Sequence, residues 1–202
     1  HAVEAPLILV REEREPRMRA AHGFTLPELI AAVAIVAILS STAVPSFSGL
    51  LARHAVTTDA NHLLALVLLA RSEAIRRNAP VALCRSNDGA RCLPRGDDRW
   101  NDGVLVFADD GRDPDAPGGT DPLLRGNGFV DPGESIVRSE APLTVRSRIA
   151  GGPVSGVLRF EGDGHPFGVA NTTFALTPGV GGASTTRKLV IGATGRPRVV
   201  VP

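Results

Sequence analysis

Apolar residues fall along this chain in three regimes. From Phe24 to Val44 they are nearly continuous, and Leu29 to Leu39 contains no polar side chain. A helix over that stretch would be about 31 Å long, enough to cross a bilayer. Beyond Pro45 the run gives way to a periodic pattern. Val56, Ala60, Leu63, Leu64, Val67, Leu68, Ala74 and Ile75 recur at steps of three and four, with Arg53, Asp59, Asn61, Arg71, Glu73 and Arg76 mainly between them. That spacing predicts an amphipathic helix with one face packed against something else, ending near Asn78 because Pro80 cannot continue it. After Pro80 the chain breaks into short β-like runs: Pro80 to Cys84, Gly103 to Phe107, Ser135 to Arg138, Leu143 to Ile149, Val157 to Phe160, Thr172 to Leu176, Arg187 to Ile191 and Arg198 to Val201. The segment between Asp109 and Glu134, dense in Asp, Gly and Pro, reads as a loop. The expected class is α+β, a long N-terminal helix with a transmembrane half and an amphipathic half, packed on antiparallel β-sheets.

Length and charge sharpen this outline. At 202 residues, one globular domain plus an anchor is the economical division. The net charge of +1 conceals an asymmetry. Between Cys84 and Glu140 twelve acids face seven bases, whereas from Ala141 to Pro202 seven bases face only Glu161 and Asp163. A basic C-terminal third suits a polyanionic partner. Cys84 and Cys92 are the only cysteines. They form no CxxC pair, and two thiols alone make a poor zinc site. In an exported chain they would close a nine-residue loop as a disulfide, and in a cytosolic one they would stay free.

The N-terminus admits three readings. A basic region, an apolar core and Ser41-Thr42-Ala43 suit a secretory signal, and the same run suits a plain transmembrane anchor. The third reading rests on Gly23-Phe24-Thr25-Leu26-Pro27-Glu28-Leu29, preceded by the short basic Met18-Arg-Ala-Ala-His. This stretch resembles the GFTLxEL signature of prepilins, at which prepilin peptidase cuts after the glycine and methylates the new N-terminal phenylalanine. Met18 is the only methionine, so translation is expected to begin there, with residues 1–17 as upstream sequence. The resulting division is 1–23 leader and upstream sequence, 24–45 transmembrane and assembly helix, and 46–202 periplasmic pilin domain. Glu28 stands out because a carboxylate inside an apolar run needs compensation. Thr25 and Glu28 have capping-box spacing, with Pro27 tolerated in a first turn. The resemblance implies a second role, in which Glu28 pairs with the Phe24 amine of a neighbouring subunit.

The remainder is similar to the GspH/FimT family of minor pilins and pseudopilins. The resemblance lies in Leu69-Ala-Arg-Ser-Glu-Ala-Ile-Arg-Arg-Asn-Ala-Pro-Val-Ala-Leu-Cys84, Trp100-Asn-Asp-Gly-Val-Leu-Val-Phe107 and Gly195-Arg-Pro-Arg198. It implies a pilin-like fold, a single-pass bacterial inner-membrane protein, and other pilin subunits as partners. Pro45 stands where this class often bends its long helix. Many relatives carry a cysteine in the late TFxL strand, whereas here Thr177 follows Leu176. Export through the membrane then predicts that Cys84 and Cys92 are joined.

No catalytic constellation is present, neither GxSxG nor HExxH nor a phosphate-binding glycine loop, and no cofactor is implied. His165, between Gly164 and Pro166, reads as a turn residue, and His54 and His62 have no metal partner at useful spacing. Asn127 to Glu134 resembles half of an EF-hand loop, but Leu123 and Arg125 would occupy ligand positions, so a solvated turn is expected and no metal.

The chemistry lies at the C-terminus. Gly192-Ala-Thr-Gly195 predicts a turn joining the last two runs as a hairpin. In an extended chain Arg196 and Arg198 point to one side, about 7 Å apart, with Pro197 marking an edge. Arg187 and Lys188 lie on the partner run. This suits a row of phosphates; the same residues also suit edge protection. In FimT-like minor pilins a C-terminal GRxR is associated with DNA binding in natural transformation. The expected function is therefore a FimT-like minor type IV pilin binding DNA non-specifically, with a GspH-type pseudopilin of a type II secretion system as the alternative.

Overall fold

The structure, a computed structural model, describes residues 23–94, 100–142, 147–168, 171–179 and 185–201, and of 41–48 the backbone alone. The expected leader and Met18 lie outside the described residues. Two compact units divide the chain, His1–Thr42 and Ala43–Pro202.

One helix, α1, runs over Leu26–Arg77, through Pro45. Glu28 lies in its first turn and Arg76 and Arg77 in its last, each complementing the helix dipole. Asn78 ends it in a left-handed conformation, φ 48°, a geometry that asparagine tolerates. In the first unit the apolar side chains of Leu29, Ile30, Val33, Ile35, Val36, Ile38 and Leu39 are 58–67 % exposed. Among the described residues no helix is long and apolar enough to cross a membrane. The expected 24–45 span runs into the stretch known by its backbone alone.

In the second unit α1 buries Ala52, Val56, Ala60, Leu63, Val67, Ala70 and Ala74. The buried face is rotated from the expected one: Leu68 and Ile75 are exposed and Leu64 is half-buried, while Ala55 and Leu66 are buried instead. Asp59, expected among the outward polar residues, is buried and accepts a hydrogen bond from the Ser147 hydroxyl. A carboxylate at that depth is tolerated only with such a partner.

Eight strands follow: β1 Val81–Arg85, β2 Val104–Ala108, β3 Ile136–Glu140, β4 Ser147–Gly151, β5 Val157–Phe160, β6 Asn171–Pro178, β7 Arg187–Gly192 and β8 Pro197–Val200. They form two antiparallel sheets, ordered β3-β2-β1-β5 and β4-β6-β7-β8. Each expected run is a strand here, with 143–146 outside the described residues. β1 and β2 are buried along their whole length. One face contributes Val81, Leu83, Val104 and Val106 to the core shared with α1, and the other packs Ala82, Cys84, Leu105 and Phe107 under Cys92, Val130 and Val157. Covering on both faces accounts for their continuously apolar sequences.

Trp100 and Asn101 join the sheets. The Trp100 indole donates to Gly151 O at 2.9 Å and meets Phe174 edge-on at 5.0 Å. Asn101 donates to Ser147 O and accepts from Ile149 N. Gly103 follows at φ 127°, where an added Cβ would stand 2.3 Å from Ser86 O, so no other residue fits without a shift of the chain.

Candidate nucleic-acid interface

β7 and β8 form the expected hairpin, with Ile191 opposite Pro197, Val190 opposite Arg198 and Lys188 opposite Val200. Gly195 N closes the turn on Gly192 O at 2.9 Å. β8 is the edge of its sheet, so the missing Pro197 N–H costs no ladder hydrogen bond. The glycine of GRPR has its own reason to be there. It is buried at φ 70°, and a Cβ would meet Gly164 O at 2.3 Å. That carbonyl accepts a hydrogen bond from Arg71 Nε of α1 at 3.0 Å. Gly195 therefore docks the turn against the β5–β6 connection and the helix, which fixes where Arg196 begins.

Arg196 and Arg198 are exposed, as is Lys188. None of the three side chains makes an ion pair or hydrogen bond among the described residues. Arg187 differs. It shares strand parity with the buried Leu189 and Ile191, and its Nε is buried without a partner. The fold thus brings Lys188 and Arg198 together on the outer face, with Arg196 exposed just before β8, and leaves Arg187 on the core side.

Sequence reading passed over one base of the same sheet. Arg148 is exposed on β4 between the buried Ser147 and Ile149, and its side chain has no hydrogen-bonding or ionic partner among the described residues. The alternation of Ser147, Arg148 and Ile149 was the available signal. In all, β4, β6, β7 and β8 carry four bases and no acid.

Several charged residues elsewhere are engaged. Arg76 and Arg77 hold Glu73, whose carboxyl falls to about 2 through hydrogen bonds from both. Arg138 pairs with Glu140, and Arg159 stacks 3.6 Å above the Phe167 ring and pairs with Glu161. Arg159 and Phe167 line, with Cys92 and Phe129, a cleft of about 260 Å³ on the far side of the first sheet. His165 pairs with Asp163 at an exposed turn, and His62 faces Glu140.

The acidic loop is held by its own carboxylates. Glu134 accepts from the N–H groups of Gly111 and Asp131, Asp131 from the Asn127 amide, and Asp109 from Gly128 N–H. Among the described residues no group of three His, Cys, Asp or Glu is placed to hold a metal ion. Cys84 and Cys92 form a disulfide with Cα atoms 5.6 Å apart. At the N-terminal end Phe24 is 80 % exposed and Thr25 O accepts the Leu29 N–H at 3.1 Å.

Residues 59–195 match the family described as type II transport protein GspH, and residues 18–44 match the prokaryotic N-terminal methylation motif. No curated relative matches the chain. Among solved structures, the type IV minor pilin FimU of Pseudomonas aeruginosa is similar at 17% identity and a TM-score of 0.50, covering 74% of this chain and 94% of its own. The minor pseudopilin EpsH of the Vibrio cholerae type 2 secretion system is similar at 12% identity and a TM-score of 0.45, covering 72% and 96%.

Proposed function

The chain belongs to the GspH family of minor pilins and pseudopilins, and on that premise we propose that it is a FimT-like minor type IV pilin, a non-enzymatic filament subunit that binds DNA without sequence preference. In this reading prepilin peptidase cuts after Gly23. The helix from Phe24 to Pro45 anchors the subunit once in the bacterial inner membrane and then packs into the pilus, and the domain from Ser46 onward works in the periplasm. Glu28 meets the Phe24 amine of a neighbouring subunit. The GRPR motif, with Lys188 and whatever Arg187 adds from the strand end, holds phosphates of incoming DNA for natural transformation.

The observation that carries the DNA assignment is the charge of the second sheet. Its strands hold bases without acids, and Arg196 and Arg198 are exposed and uncompensated at its edge. Phosphate contacts carry no base information and release counterions on binding. Replacing both arginines by Ala is therefore expected to weaken binding of the full chain, held in neutral detergent, to unrelated duplexes alike, and to lower the slope of log affinity against log salt by about 1.8. A folded double variant that binds like the parent overturns the motif's role. If the parent itself binds no DNA, a structural pseudopilin of a type II secretion system becomes the better reading.

A further inference from the structure

Sheet register places four cations in one oblique line, and we propose that this line, running from Arg148 on β4 through Lys188 on β7 to Arg198 and Arg196 at the β8 edge, is the track along which the phosphate backbone of a duplex lies. The inference rests on the DNA-binding reading above and changes its geometry, from a two-arginine tip to the whole outer face of a sheet.

The register fixes the line. Arg148 stands opposite Thr177 on β6. Lys188 stands opposite Ala175, itself opposite Ala150, one side-chain step further along β4. Arg198 stands opposite Val190, itself opposite Thr173, a step further again. The next exposed base, Arg196, lies beyond the last pair, Ile191 with Pro197. Each step advances about 6.6 Å along the strands, and each strand crossed adds about 4.8 Å, so the line from end to end measures about 25 Å. A duplex presents one phosphate per about 3.4 Å of axis on each strand, so a line of this length runs beside most of one helical turn and meets the phosphates turned towards it.

The surface between the cations is suitably shaped and charged. Ala150, Thr173, Ala175 and Val190 are small, keep the face flat, and offer the Thr173 hydroxyl as a further donor. No acid lies on any of the four strands. Arg187 is off the track, since it has core-side parity. The partner must be an extended polyanion with regularly repeated charge, which a duplex is.

The test compares full chains in neutral detergent by anisotropy of a labelled duplex between 50 and 200 mM salt, with circular dichroism reporting the fold. Arg148→Gln is expected to bind several-fold more weakly at low salt and to lose about 0.9 from the salt slope, so that its deficit shrinks by about 3.5-fold across that range. Arg148→Lys should restore both. Arg138→Gln, which removes an exposed charge from β3 on the other sheet, should leave binding unchanged. Parental affinity and slope in Arg148→Gln, with Arg196→Ala/Arg198→Ala still impaired, overturn the track and leave the GRPR reading standing. Equal losses in Arg148→Gln and Arg138→Gln also overturn it, because the effect is then net charge alone. A parent without DNA affinity overturns both.

Discussion

Asp109 is buried and Glu134 half-buried in the loop that their carboxyls organise. Burial pushes the Asp109 carboxyl up to about 6, against hydrogen bonding from the Gly128 N–H and the Arg159 charge. Burial likewise pushes Glu134 up to about 7, against the N–H groups of Asp131 and Gly111, with the charges of Asp109 and Asp131 adding to the rise. Both groups keep their protons to higher pH in the folded chain than in the unfolded one. Their contribution is therefore fully present below about pH 4 and is lost as pH rises through 6 and 7. Carboxyls held low by partners, such as Glu73 and Glu140, act the opposite way but only in stronger acid. The melting temperature is thus expected to fall between pH 5 and 7.5. Asp109→Asn should remove the part lost between about pH 4 and 6, which melting curves from pH 4 to 7.5 would register; a flat profile in the parent would mean that water reaches both carboxyls.

At the scale of elements, the eight strands and the two regimes of the helix were legible because each carries its pattern locally. Apolar alternation marks β4, β6 and β7, and continuous apolar runs mark β1 and β2. What was hidden depended on partners distant in sequence. Asp59 reads as a surface residue until Ser147, on β4, supplies its hydrogen bond. Arg187 reads as a companion of Lys188 until Leu189 and Ile191 fix the parity of β7. Arg148 joins the basic residues only once β6 is inserted between β4 and β7. The disulfide was legible given export, and the structure shows what it secures. Cys92 carries the segment after β1 back over Cys84, where Leu93 N–H reaches Arg85 O at 2.7 Å and Arg85 Nη2 reaches Pro94 O at 2.8 Å. The second face of the first sheet depends on that cover. Protein from membranes should show no thiol labelling until reduced, and Cys84→Ala/Cys92→Ala should lower stability by about 2 to 3 kcal/mol. Labelling without reductant would contradict the export reading.

At the scale of the whole molecule, two surfaces call for partners of opposite kinds. The basic sheet face faces water and suits a polyanion. The first unit exposes seven large apolar side chains within eleven residues, Leu29 to Leu39, directed to every side of α1, as suits surroundings of lipid or of other apolar helices. Glu28 sits at the beginning of this stretch, in the first turn of α1. Within such surroundings a carboxylate is costly, by about 2.5 to 3.5 kcal/mol at a bilayer centre. The N-terminal dipole of its own helix compensates it in any state; under the function proposed above, a neighbour's Phe24 amine, present only after cleavage and only in a filament, would be a second compensation. These make different demands on Glu28→Ala. The variant keeps the apolar span and the Gly23-Phe24 junction, so it should still be inserted and cut, and mass spectrometry should find methylated Phe24 at its N-terminus as in the parent. Having lost the partner for the neighbour's amine, it should be depleted from sheared filaments relative to the membrane pool, as immunoblotting of the two fractions would measure. Normal incorporation would leave Glu28 only its place at the helix terminus. A mature terminus near Val44 in either chain would instead make the apolar run a removable secretory signal, since the helix that carries Glu28 would then be absent from the finished protein.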